Sequence, residues 1–107
     1  MTITQLVRDA RRVTICFCKL RRRCYGLYEF VEGSKNNRDA LIFIDLQKNA
    51  NPARVFLHEL LHRAYPKETS EHAIMTRERR MWQRASQYER YFLYRTLFLR
   101  KWRHKIF

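Results

Sequence analysis

The stretch NPARVFLHELLHRAYP, residues 51–66, carries the clearest signals of local structure in this chain. Asn51 is a good N-cap, Pro52 suits the first position of a helix, and Pro66 prevents the helix from continuing. Apolar residues recur between these limits at helical spacing: Leu57, Leu60, Leu61 and Ala64. The sequence therefore predicts an amphipathic helix over residues 52–65.

This helix carries the motif HELLH, residues 58–62. Positions four apart lie one above the other on the same helix face, so the imidazoles of His58 and His62 could bind one Zn2+ ion. Glu59 lies at the edge of the same site, where it could accept a proton from a water molecule on the metal. The alternative interpretation is a core helix that happens to carry two histidines.

Two histidines do not complete a catalytic zinc site, which usually has three protein ligands and a water molecule. Three candidates follow the helix: Glu68, Glu71 and His72. A second helix is predicted to begin here, with Thr69 or Ser70 as its N-cap and Glu71 in its first turn. Glu71 could instead only complement the helix dipole. The sequence spacing alone therefore does not identify the third ligand.

The residues before the predicted helix 52–65, which we call the zinc helix, are typical of strands. Residues 13–20 alternate and are rich in β-formers, residues 25–31 form a second candidate, and residues 40–46 (ALIFIDL) form the strongest. Residues 32–39 have the composition of a hairpin loop. Strands followed by helices indicate an α+β fold with a small antiparallel sheet. We expect residues 40–46 to be an exposed edge that could bind an extended peptide, with Asp45 facing solvent.

At 107 residues, the chain is expected to form one domain. Its parts are a lead-in (1–12), the sheet (13–46), the zinc helix (52–65) and a long basic helical segment (70–107). No apolar run approaches the ~20 residues that a membrane span needs.

Within the last segment, Ser86 and Glu89 have capping-box spacing, which predicts a break near Ala85. Apolar residues on both sides of this point recur at roughly helical spacing and are expected to be core. They are Ile74, Met81, Ala85, Tyr88, Phe92, Leu99 and Trp102.

The net charge of +13 is concentrated at the two ends of the chain. Residues 1–24 hold seven basic residues and one acid, and residues 77–107 hold ten basic residues and two acids. Residues 25–76 hold six basic and seven acidic residues. Such ends favour an anionic partner, usually nucleic acid, or an acidic protein or membrane surface. The alternative is a surface that only keeps the protein soluble.

The three cysteines, Cys16, Cys18 and Cys24, are an odd number and do not indicate a disulfide framework. A reducing cytoplasm is the simplest compartment. Because strand positions alternate, Cys16 and Cys18 are expected to share a face as buried small hydrophobes.

The run IFIDLQ, the helix with HELLH, a proline and then SEHAI together resemble the small HExxH zinc metallopeptidases of bacteriophages, and more distantly the SprT/Spartan group. The resemblance covers roughly residues 40–76. It implies a minimal zincin core that hydrolyses peptide bonds in the host-cell cytoplasm, with Glu59 activating a zinc-bound water. In the phage group the carboxylate just after the serine is the third ligand, which maps onto Glu71. The Spartan resemblance instead favours a histidine, hence His72.

Two classes of function follow from the sequence. The first is a zinc metalloendopeptidase whose basic ends recruit it to nucleic acid or to nucleic-acid-bound proteins. The alternative is a basic nucleic-acid-binding or host-interaction protein with a structural or vestigial zinc site. For the peptidase, Tyr65, Tyr88, Tyr91 or an arginine of the last helix could help to stabilise the oxyanion.

Overall fold

The computed structural model describes residues 1–10, 13–30, 40–68 and 70–99. Within these ranges the predicted α+β class is confirmed. The elements are α1 (Ile3–Asp9), β1 (Val13–Phe17), β2 (Gly26–Phe30), β3 (Ala40–Ile44), α2 (Pro52–Ala64), α3 (Glu71–Arg84) and α4 (Gln87–Leu99). Three sequence predictions lie outside the described residues: the hairpin loop 32–39, Thr69 as an N-cap, and the helical segment beyond residue 99 with Trp102.

The sheet is mixed, and the prediction of an antiparallel sheet is wrong for β1. Its strand order is β1–β3–β2, with β3 antiparallel to β2 and parallel to β1. The predicted edge position of residues 40–46 is also wrong, because β3 is the central strand. Its alternate side chains Ala40, Ile42 and Ile44 are all buried, and so apolar a strand belongs between two neighbours. β2, which exposes Glu29, lies at an edge instead.

Two further predictions fail just beyond the ends of strands. Cys16 is buried as expected, but Cys18 is exposed because β1 ends one residue before it. Asp45, expected to face solvent, follows the last residue of β3 and is only 6% exposed. Its carboxylate accepts hydrogen bonds from the backbone N–H groups of Leu20 and Gln47, both at 2.9 Å. Strand alternation predicts the direction of a side chain only inside the strand.

Helix α2 forms where the sequence predicts it, and it lies at the centre of the fold. Asn51 caps its N-terminus by accepting a hydrogen bond from the N–H of Ala53 at 2.9 Å, and Pro52 is its first residue. It packs against the other three helices and against β2 and β3. One side of α2 is therefore core: Phe56, Leu57, Leu60 and Leu61 are each at most 1% exposed.

The predicted break in the last helical segment is confirmed. Ser70 caps α3 by accepting a hydrogen bond from the N–H of Ala73. α3 ends at Arg84, and a capping box follows. In it Ser86 Oγ accepts from the N–H of Glu89 at 3.1 Å, while Glu89 Oε1 accepts from the N–H of Ser86 at 3.3 Å. Across the described residues, no helix is both long enough and apolar enough to cross a membrane.

The break changes which side of α4 faces the core. Tyr88 is 73% exposed and Leu99 is 61% exposed, so their prediction as core residues is wrong. α4 instead buries Leu93, Thr96 and Leu97. The predicted apolar stripe kept one helical period across the break, whereas the extended backbone of Ala85 interrupts that period. The remaining predicted core residues do pack inside: Ile74 is buried, and Met81, Ala85 and Phe92 are partly buried against the core.

Candidate metal centre

Two histidines of α2 bring their Nε2 atoms together on the side of the helix turned away from its buried leucines. His58 and His62 are one turn apart, and their rings meet edge to face with centroids 4.9 Å apart. The two Nε2 atoms are 3.2 Å apart. The helix geometry expected from the HELLH spacing is therefore present.

Glu71, the first residue of α3, adds a carboxylate to this pair. Its Oε1 lies 2.6 Å from Nε2 of His62, and its Oε2 lies 3.0 Å from Nε2 of His58. The turn between α2 and α3 is stabilised by Arg77, whose guanidinium lies 3.9 Å from the centre of the Tyr65 ring. α3 consequently starts directly above the two imidazoles.

The two imidazole nitrogens have the separation that a tetrahedral zinc ion requires, whereas Oε1 of Glu71, 2.6 Å from Nε2 of His62, is at hydrogen-bond distance and would have to move outward slightly to bind the same ion. Two nitrogen ligands about 2.1 Å from zinc at tetrahedral angles are about 3.3–3.4 Å apart, close to the 3.2 Å between the histidine Nε2 atoms. His58, His62 and Glu71 each offer a ligand atom, and these atoms lie within 4.8 Å of one another. Two imidazoles and one carboxylate are also a donor set that catalytic zinc uses in proteins.

The other two candidates for the third ligand lie elsewhere. His72 follows Glu71 by one helical position, about 100° further round the axis, and is exposed. Glu68 lies 3.8 Å from Arg77 on the turn between the helices. Among the described residues, neither side chain belongs to the group with His58 and His62.

Glu78 is a part of the site that the sequence analysis missed. Its Oε1 lies 3.2 Å from Nδ1 of His58, and its Oε2 accepts a hydrogen bond from Nε of Arg54 at 2.8 Å. Burial alone would raise the pKa of Glu78, but the hydrogen bonds from His58 and Arg54 lower it below its ordinary value. A carboxylate in this position orients a metal-binding imidazole and fixes its tautomer. The available signal was spacing, since Glu78 lies two helical turns after Glu71 on the same face.

Glu59 is buried beside the cluster rather than inside it. Glu59 is only 7% exposed, and this burial raises the pKa of its carboxyl group to about 7. The negative charge of Glu71 also raises this pKa, while the charge of His58 lowers it. β2 passes so close that a Cβ on Gly26 would lie 3.3 Å from Oε1 of Glu59 and 2.5 Å from Cγ1 of Val55. The absence of a side chain at Gly26 therefore allows β2 to lie directly against the carboxylate.

The cluster opens into a cleft of about 960 Å³ between α2, α3 and the β2 edge. The cleft wall contains Tyr25, Leu27 and Met75, each about 40–50% exposed. In a chain of net charge +13 with only ten acidic residues, four glutamates line this one cleft. They are Glu59, Glu68, Glu71 and Glu78. Two arginines, Arg23 and Arg54, line the same cleft, so acids outnumber bases here and the local charge favours a cation, against the sign of the whole protein.

The predicted oxyanion donors do not reach this cleft. Tyr88 and Tyr91 are exposed on α4, and Tyr65 packs under Arg77 on the turn after α2. Among the described residues, the tyrosines that line the cleft are Tyr25 and Tyr28, at β2. A donor from the sheet edge is more favourably placed than one from the last helix, because β2 faces Glu59 directly.

Comparisons of the chain with protein-family models, with curated proteins and with solved structures found no match. The functional assignment therefore has to come from the chemistry of the site. That chemistry is a two-histidine, one-glutamate cluster with a second glutamate buried beside it, in the wall of an open cleft.

Proposed function

We propose that this protein is a zinc-dependent metallopeptidase, with His58, His62 and Glu71 as the ligands and Glu59 as the general base. The observation that carries this proposal is the convergence of three ligand atoms within 4.8 Å at the wall of an open cleft. Structural zinc sites are closed by four protein ligands, whereas catalytic sites keep one position open. Within the described parts of the chain, no fourth ligating side chain joins the group, which supports catalysis over a structural role.

The surrounding residues prepare the site for a cation. Glu78 lies within hydrogen-bond distance of Nδ1 of His58, and with zinc bound it would accept the hydrogen of this nitrogen and leave the lone pair of Nε2 for the metal. Arg54 in turn holds Glu78 from the other side. When bound, zinc would lower the pKa of a water molecule and polarise the scissile carbonyl group.

Glu59 supplies the proton transfers. Its carboxylate lies in the cleft wall next to the proposed ligands, where it can accept a proton from a water molecule on the metal. It would take a proton from the attacking water molecule and deliver it to the nitrogen of the leaving amine. Both transfers occur on the cleft side of α2, where substrate has access.

The edge of β2 provides a place for an extended peptide. Among the strands that the structure describes, β2 is hydrogen-bonded to β3 alone, and its residues line the cleft opposite α3. A substrate strand could add to the other side of β2, with its backbone running past Glu59. We therefore propose β2, and not residues 40–46, as the strand to which a peptide adds. β3 is central and already paired on both sides.

A cleavage assay on a peptide library tests the proposal. Wild type with zinc is expected to cleave a subset of peptides, and Glu59→Gln is expected to keep zinc but lose roughly 100-fold or more of the rate. Asp9→Asn, the same loss of a carboxylate at an exposed position of α1 away from the cleft, should cleave as wild type does. The proposal fails if wild type cleaves no peptide, or if Glu59→Gln cleaves at the wild-type rate.

A further inference from the structure

Helix α4 presents a second surface that the metal centre does not use. Its core side carries Leu93 and Leu97, which are fully buried. Its opposite side carries Tyr88, Tyr91 and Arg95, spaced three and four residues apart and therefore aligned along one face. We call these three residues the outer face of α4.

The two tyrosines of the outer face are more exposed than any other large hydrophobic side chain among the described residues. Tyr88 is 73% exposed and Tyr91 is 64% exposed. They are one helical turn apart, about 5–6 Å between Cβ atoms. Two flat rings are thus presented to solvent along one side of the helix.

The charge around these rings is positive. Arg95 continues the outer face, and Arg84, four residues before Tyr88, is also exposed. The one acid of α4, Glu89, is engaged with Ser86 in the capping box. Along the sequence, residues 100–107 add further lysines and arginines and no acid.

We infer that the outer face of α4 binds single-stranded nucleic acid, with bases stacked on Tyr88 and Tyr91 and a phosphate paired with Arg95. Aromatic rings among cations are the usual means of binding single strands, because every base has a face to stack. A duplex is a poor fit, since its base faces are covered by their neighbours. A second copy of this chain is disfavoured by like charge, at +13 for each copy. This binding needs neither zinc nor Glu59 and is independent of the proposed peptidase activity.

Fluorescence anisotropy with labelled oligothymidylate and oligouridylate of about 12 nucleotides tests this inference. Tyr88→Ala with Tyr91→Ala is expected to weaken binding by about 5- to 150-fold for each ring removed. Tyr88→Phe with Tyr91→Phe keeps both rings and should bind within about twofold of wild type. All four substitutions are at exposed positions, and thermal unfolding of each variant would show that the fold is retained.

Charge is tested separately. Arg95→Gln should weaken binding and flatten its dependence on salt by about 0.7 in the log–log slope. Lys67→Gln removes the same charge from the exposed turn after α2, in the near-neutral part of the chain, and should leave that slope within error of wild type. Glu59→Gln should bind oligonucleotide as wild type does, whatever its effect on cleavage.

Three results would overturn the inference. The first is no binding of either oligonucleotide at low salt, including the case in which vesicles with phosphatidylserine bind instead. The second is equal binding by wild type and the double alanine variant. The third is tighter binding of a duplex of the same length than of the single strands.

Discussion

Glu78 lies 3.2 Å from Nδ1 of His58, while Nε2 of the same imidazole lies 3.0 Å from Glu71. The ring is thus held between two carboxylates of α3, spaced two turns apart on one helix face. Arg54 holds Glu78 from behind through a hydrogen bond of 2.8 Å to its Oε2. One helix therefore supplies both a candidate ligand and the group that orients another ligand.

Glu78→Gln is expected to weaken zinc binding by about 10- to 100-fold, because the neutral amide stabilises the metal-binding imidazole less than the carboxylate does. Competition with a chromophoric chelator measures the affinity. Glu68→Gln makes the same change at a glutamate that lines the cleft but pairs with Arg77, and it should bind zinc as wild type does. Equal affinities for Glu78→Gln and wild type would show that Glu78 does not orient His58.

Gly26→Ala is expected to lower the free energy of unfolding by about 1–3 kcal/mol. The added Cβ would meet Cγ1 of Val55 at 2.5 Å, so β2 and α2 would have to separate. Urea denaturation measures the loss. Val55→Ala removes the clashing methyl group, so the double variant should be less destabilised than the sum of the two single changes. Strict additivity would mean that the two positions are not in contact.

Asp45→Asn is expected to destabilise the protein near neutral pH and much less in acid. The backbone N–H of Leu20 donates to Asp45, and this is the main reason that its pKa lies below the ordinary value of 3.8. A lowered folded-state pKa adds stability above 3.8 that is lost as the pH falls through the folded-state value. The difference in unfolding free energy between wild type and Asp45→Asn should therefore shrink from pH 7 to about pH 3.

Asp9→Asn, at an exposed aspartate of α1, serves as the control and should change stability little at either pH. A difference between wild type and Asp45→Asn that stays constant across this range would contradict the assignment of the effect to charge.

Local signals in the sequence were sufficient for α2 and for the start of α4, but α1 lies in the segment predicted only as a lead-in. Asn51 and Pro52 begin α2, and Ser86 with Glu89 marks the start of α4, because caps depend on residues within one turn. The HELLH spacing likewise gives the relation between His58 and His62, since it is a property of a single helix.

Contacts between residues far apart in the sequence could not be predicted from these local signals. The parallel pairing of β1 with β3 depends on which side of β3 each edge strand takes, and no local pattern encodes this. Glu78 becomes part of the site only because α3 packs across α2, so its spacing from Glu71 has meaning once that packing is known. Tyr88 was placed in the core because the stripe was extended across Ala85, whose extended backbone interrupts the helical period.

The most direct test of the account is the metal content of protein purified without added metal, measured by mass spectrometry for wild type, Glu71→Ala and His72→Ala. We expect about one zinc per chain in wild type and in His72→Ala, and a clear loss in Glu71→Ala, because the carboxylate of Glu71 lies within 3.0 Å of Nε2 of both histidines and His72 is outside this group. Loss in His72→Ala with retention in Glu71→Ala would reverse the ligand assignment. A folded wild type without zinc would contradict the metal centre itself.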